Sequence, residues 1–182
     1  MSHHRLTALL ASLCLLSAAL TGDSAAAVCP DCQTVSNAMA SVQVLPGWTV
    51  TYTNRAWIEL RNTTTSAEMD VGVSKLLYAA ATAQEALEDQ FEDDVDAYLE
   101  VHWCDSGAPV QEVVGGLTGL EPWECYFDFD PKTPHTVAYW MATSASGMTL
   151  YEIHIYGPPS AFAATVMPAA RAVMQTVTWT AS

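Results

Sequence analysis

The sequence predicts an α+β fold: a single antiparallel sheet of about six or seven strands, flanked by an acidic amphipathic helix and a C-terminal helix. Three observations lead there. Short segments that alternate apolar and polar residues follow one another from Trp48 onward, separated by turn residues. One stretch, opened by Thr82, changes to helical spacing. The last apolar stretch carries Phe162, Val166, Ala170, Val173 and Val177, again at helical spacing.

Taken in order, Gln33 to Val42 reads as a short helix, and strands begin after Pro46. Trp48–Tyr52 and Ala56–Leu60 form a hairpin around Thr53-Asn54-Arg55, and Met69, Val71 and Val73 alternate in a third strand. Thr82 and Glu85 make a capping box, in which hydroxyl and carboxylate each satisfy an orphan backbone donor. Leu87, Phe91, Val95 and Tyr98 then share one helix face, with Glu88, Asp89, Glu92, Asp93 and Asp96 on or near the other. Strands return at Leu99–Cys104, Val110–Val114 and Trp123–Phe129. Thr136–Thr143 and Met148–Tyr156 form a second hairpin across Ser144–Gly147. Pro168 either kinks the terminal helix or marks its start, because proline lacks the N–H that a helix interior needs.

The N-terminus reads as a secretory signal. Arg5 supplies a positive n-region, Leu6–Leu20 is uncharged and apolar, and Ala25 and Ala27 occupy the −3 and −1 positions of a cleavage site after Ala27. The apolar run falls short of the ~20 residues that a spanning helix needs. Arg171 interrupts the apolar tail, so the mature chain is expected to have no transmembrane segment. Neither Cys14 nor Cys29 follows a small residue, so lipid attachment is not expected. The predicted organisation is a signal peptide at 1–27, an N-terminal segment at 28–41 with Cys29 and Cys32, and one α+β domain at 42–182. The protein is expected to be exported, either periplasmic or secreted.

Charge is lopsided: 6 basic against 20 acidic residues give a net −14. Between Leu76 and Pro131 fourteen acids occur without a single Lys or Arg. Such a surface repels phosphate backbones and anionic headgroups, which argues against nucleic acid as a partner. Two readings of the acidic run stay open. It is a solvated face that keeps an exported protein soluble, or Asp93, Asp94 and Asp96 attract a cation near a helix end where the dipole disfavours anions.

Four cysteines follow the signal: Cys29, Cys32, Cys104 and Cys125. An even count in an oxidising compartment points to two disulfides, with Cys29–Cys32 and Cys104–Cys125 the simplest of the three pairings. Cys29-Pro-Asp-Cys32 also has redox or metal-site spacing, but no buried strand precedes it and the other cysteines are not closely paired.

Alternation along the strands singles out a polar face. If Ile153 and Ile155 point inward, Glu152, His154 and Tyr156 point outward. The same rule sends Glu124, Tyr126 and Asp128 outward from one strand, and Glu100 and His102 from another. Were those strands neighbours, one face would gather His, Tyr and carboxylates able to hold a divalent cation or a small polar ligand. The competing readings are an ordinary solvent face, or a covered one whose polar groups pair among themselves. His135 is the remaining histidine of the mature chain.

The order of features carries a resemblance. A strand entry at Leu45-Pro-Gly-Trp48 is followed by the acidic helix, a strand with Gly115-Gly-Leu-Thr-Gly-Leu120, an aromatic strand, the hairpin ending Leu150-Tyr-Glu-Ile-His-Ile-Tyr156, and a helix from near Phe162. This resembles the PsbP-like fold, which includes the exported LpqN and DcrB groups, over about Val42–Trp179. The resemblance implies a central antiparallel sheet flanked by helices, and envelope or assembly accessories rather than enzymes. It carries no catalytic residue across, and Cys29-Pro-Asp-Cys32 and the acid richness depart from it.

No catalytic template is met. Ser144-Ala-Ser146-Gly147 reads as a turn, Gly115-Gly116 lacks the residues of a phosphate loop, and Asp93–Asp96 lacks the glycine and spacing of a calcium loop. Asn62-Thr-Thr64 is a glycosylation sequon. The expectation is a non-enzymatic accessory or binding domain with an envelope or extracellular protein partner and no cofactor. A cation or polar-ligand binder using the His154 face comes second, and a thiol–disulfide protein through Cys29 and Cys32 third.

Overall fold

The computed structural model describes residues 29–76, 82–86, 88–89, 100–104, 111–120, 124–128 and 134–180, with strands 100–104 and 124–128 described through their backbone. Two antiparallel sheets organise these residues. The small sheet has the order β1 (Gln33–Ser36), β2 (Ala40–Val44), β12 (Thr178–Trp179). The large one contains β3 (Trp48–Thr53), β4 (Trp57–Asn62), β5 (Ala67–Lys75), β6 (Glu100–Cys104), β7 (Gln111–Val114), β8 (Leu117–Leu120), β9 (Glu124–Asp128), β10 (Pro134–Thr143) and β11 (Thr149–Gly157).

Its main path runs β3-β4-β5-β11-β10-β8-β7, and β9 pairs with both β10 and β6. The length of β10 makes this branching possible. Residues 134–138 pair with β9, while Met141 further along pairs with Leu120 of β8. In place of the single sheet of six or seven strands expected, the chain forms two sheets, and the larger has nine strands, among them β8, which Gly115 and Gly116 join to β7. Both glycines have positive φ, +59° and +84°, as a tight hairpin turn demands.

One face of the large sheet builds the main core. Ile58, Leu60, Met69, Val71, Ile153, Ile155 and Trp140 pack there against Phe162, Val166, Ala170, Val173 and Met174. The terminal segment winds through a 3-10 turn (Pro159–Ala161) and a π turn (Phe162–Val166) before a regular helix, Met167–Met174. Pro168 sits in the first turn of that helix, where its missing N–H costs nothing. Of the two alternatives for Pro168, the helix start is therefore the one adopted.

Gln33–Val42 does not form the expected short helix. Asn37 instead caps a turn, its Oδ1 accepting hydrogen bonds from the Met39 and Ala40 amides at 2.8 and 2.9 Å. The chain then doubles back as β1 and β2. Ala40 and Val42 alternate into the core, and β2 pairs with β12 from the far end of the chain. That long-range pairing overrides local propensity, and β2 runs across the 41/42 boundary expected from sequence.

Of the acidic amphipathic helix expected from sequence, only 83–86 and 88–89 are described. Thr82 Oγ1 accepts from the Glu85 amide at 3.2 Å, so half of the capping box is seen. Asp93, Asp94 and Asp96 lie outside the described residues, as do Phe91, Val95 and the signal segment 1–27.

The sequon is closed by burial. Asn62 is a buried side chain whose Oδ1 accepts from the Thr64 and Thr65 amides at 2.9 and 3.0 Å, so its amide shapes the β4–β5 turn.

Candidate functional site

The second face of the large sheet holds the candidate site. All nine residues of β11 except the half-buried Tyr156 are buried, so both faces of this strand are covered. Ile153 and Ile155 enter the main core, and Glu152, His154 and Tyr156 point the other way. That other face is not solvent. Ala86 of the helical segment packs over it with Val137, Tyr139, Met141 and Leu150, joined at the margin by Leu76, Leu120 and Tyr156.

The polar groups pair with one another, as in the covered-face reading. His154 Nε2 lies 3.1 Å from Glu152 Oε2, and Nδ1 lies 3.3 Å from the Tyr156 hydroxyl. With its hydrogen on Nε2, the ring donates to the carboxylate and accepts from the phenol. Glu152 and His154 are only 3% and 9% exposed. Glu152 Oε1 has no hydrogen-bond partner among the described residues.

Register extends this trio into a row across four strands. Glu59 on β4 faces Asp70 on β5, Asp70 faces His154 on β11, and His154 faces Tyr139 on β10. Rings enclose the imidazole. Tyr139 meets it edge-on at 5.0 Å between centroids, and Trp57 meets it at 5.5 Å with a 60° tilt. Gly72 permits the approach of Trp57, since a Cβ there would lie 2.2 Å from the indole.

Burial pushes the Asp70 carboxyl up to about 6. A proton on the facing His154 ring pulls the other way, and Glu59 and Glu68 add to the rise. Beside Asp70 the face opens as a shallow depression of about 200 Å³ lined by Thr51, Glu59, Leu60, Arg61, Glu68 and Asp70. Arg61 and Glu68 pair across it at 3.4 Å on exposed side chains, a contact of little energetic weight.

Of the residues expected on this face, Glu152, His154 and Tyr156 converge. The register does not align Glu124, Tyr126 and Asp128 with them. Those three are partners of Ala138, Thr136 and Pro134, whereas Val137, which shares the His154 face, is the partner of Cys125. His102 falls at the irregularity of β6 between Val101 and Trp103. Asp70, Glu59, Tyr139 and Trp57 were not expected here. The alternation of β4 and β5 contained the signal for the first two, but only strand pairing reveals which row they enter. Among the described residues, no three His, Cys, Asp or Glu side chains are grouped so as to hold a metal ion.

Cys29 and Cys32 are joined at 2.00 Å, ahead of β1 and not ahead of a helix. The helix dipole that lowers a thiol pKa in redox motifs is therefore missing at this pair. The Cys29 amide donates to Gln43 Oε1 at 3.2 Å, which ties the segment to β2.

No protein-family model matches the chain, and no curated protein matches its sequence. Solved structures do match. LpqN of Mycobacterium tuberculosis, described as involved in cell envelope biogenesis, aligns at a TM-score of 0.53 and 14% identity, over 83% of this chain and 86% of that one. A protein of Bacteroides thetaiotaomicron aligns at 0.52 and 13% identity; this chain covers 81% of its own length but 48% of that protein's. The Ran-binding protein Mog1p of Saccharomyces cerevisiae aligns at 0.43 and 11% identity, over 79% of this chain and 85% of that one. The loose relationship to the LpqN fold expected from the order of elements is thus observed, at the level of fold.

Proposed function

We propose that this protein is an exported, non-enzymatic accessory or binding domain acting in the cell envelope or outside the cell. The observation that carries this reading is the fold-level alignment with LpqN, at a TM-score of 0.53 over 83% of one chain and 86% of the other. The chemistry of the site supports the same reading. Both ring nitrogens of His154 are engaged by neighbours on its own strand, so neither is offered to a substrate proton. The Cys29–Cys32 bond supports an oxidising compartment. A signal peptide cleaved after Ala27 would deliver the chain there, to a partner that is an envelope or extracellular protein.

The test is fractionation of cells producing the full chain with a C-terminal tag, followed by N-terminal sequencing. The expected product lies outside the cytoplasm and begins at Val28. A cytoplasmic product that retains residues 1–27 would overturn export.

A second reading draws on the carboxylates of Glu59, Glu68 and Asp70 around the depression beside Asp70, which suit a small cationic or polar ligand. Thermal-shift measurement with divalent cations and with polyamines tests it. A shift lost in Glu59→Gln/Asp70→Asn supports the reading, and no shift with any of them removes it.

A further inference from the structure

We propose that Cys104 and Cys125 form a cross-strand disulfide that staples β6 to β9 at the end of the polar face. The two residues are direct register partners in the antiparallel β6–β9 pair. Such partners stand about 4.5 or 5.5 Å apart at Cα, depending on pair type. Both separations fall within the roughly 4.4–6.8 Å that a disulfide spans, so no backbone movement is needed. Direct partners also occupy the same face of a sheet. Cys29 and Cys32 are already bonded to each other, which leaves Cys104 and Cys125 as the remaining pair after the segment 1–27.

The position gives the bond a purpose. Among the described residues β6 joins the sheet through β9 alone, and β9 in turn pairs with β10. A covalent tie at Cys104–Cys125 secures this outer strand. The same row continues inward, since Cys125 is the partner of Val137 and Val137 is the partner of Tyr156. Tyr156 is the residue whose hydroxyl meets His154. The staple therefore anchors the row that ends on the candidate site.

Chemically, one thiolate attacks the disulfide of a donor, either a thiol–disulfide oxidant protein or oxidised glutathione, and releases one donor thiol. The second thiolate then attacks the mixed disulfide and releases the other. The two cysteines lose two protons and two electrons, and the donor disulfide is reduced to two thiols. Formation in the cell rests on the export reading, whereas formation in a redox buffer does not.

The experiment is unreduced peptide mapping by mass spectrometry on the purified full chain, equilibrated in oxidised and reduced glutathione. The expected result is a peptide pair linked through Cys104 and Cys125, two hydrogens lighter than its reduced parts. Relative to the oxidised parent, Cys104→Ser/Cys125→Ser should lower Tm by roughly 5–10 °C. Alkylation of both Cys104 and Cys125 in a buffer where Cys29–Cys32 is bonded would overturn the staple, as would linkage of either to another cysteine. The same mapping on chain recovered from whole cells, with free thiols blocked at lysis, separates the two proposals. Pairs reduced there but formed in glutathione count against export and leave the staple standing.

Discussion

Asp70 and His154 are direct cross-strand partners on β5 and β11, and the rings of Trp57 and Tyr139 flank the imidazole. The carboxyl is held near 6 by burial although the imidazole opposite it favours ionisation. Desolvation thus outweighs attraction at this position.

A pH-dependent stability follows for Asp70. Its folded-state pKa is raised from 3.8 to about 6, so the folded protein binds the proton more tightly than the unfolded chain does. The contribution is fully present below about 3.8 and is lost as pH rises through about 6. At about 1.4 kcal/mol per unit, less some screening by water, ionised Asp70 costs about 1–3 kcal/mol at neutral pH. Asp70→Asn should therefore stabilise the protein by about that amount at pH 7.5 and leave it unchanged near pH 3, read by urea unfolding. An equal effect at both values would place the shift on another group.

His154 and Glu152 should be unequal on substitution. His154→Ala strips the Glu152 carboxylate of its hydrogen bond while that group stays buried. It should cost about 3–5 kcal/mol, whereas Glu152→Gln, which keeps an acceptor at the same place, should cost about 1–2 kcal/mol. Denaturant midpoints of the two variants decide the order.

Gly72 is the steric licence for Trp57. A Cβ there would sit 2.2–2.5 Å from three indole atoms, so Gly72→Ala must displace the ring that covers His154. The expected loss is about 1–3 kcal/mol, with a change in tryptophan fluorescence as the indole moves. An unaltered emission spectrum would show that the indole does not depend on this glycine.

Trp179 joins the two sheets. It sits in β12, stacks on Trp140 at 5.9 Å between centroids, and donates Nε1–H to the Val114 carbonyl at 3.0 Å. Trp179→Ala should cost about 3–5 kcal/mol and expose the β2 edge, whereas Trp179→Phe keeps the stacking and should cost about 1–2 kcal/mol. Hydrogen exchange at β2 amides should rise in the alanine variant alone.

Elements whose partners lie nearby in sequence were the legible ones. The β3–β4 and β10–β11 hairpins and the β5 strand announce themselves by alternation between turn residues. The segment 33–42 forms strands in place of a helix because pairing of β2 with β12, in which Ser41 meets Thr178 across 137 residues, overrides its local pattern. The candidate site was half legible for the same reason. Glu152, His154 and Tyr156 share a strand, and Asp70, Glu59 and Tyr139 arrive from three others.

Alternation alone places Ile153 and Ile155 on one side of β11 and Glu152, His154 and Tyr156 on the other, because the two-residue period belongs to the extended backbone. Local sequence also marks where Thr82 begins a helical turn, since a cap is a contact between near neighbours. Burial of the polar side of β11, and the placing of Asp70 and Tyr139 beside His154 in place of Glu124, Tyr126 and Asp128, follow from long-range packing. Pairing between distant strands selects the register, and a shift of one residue carries every side chain to the opposite face.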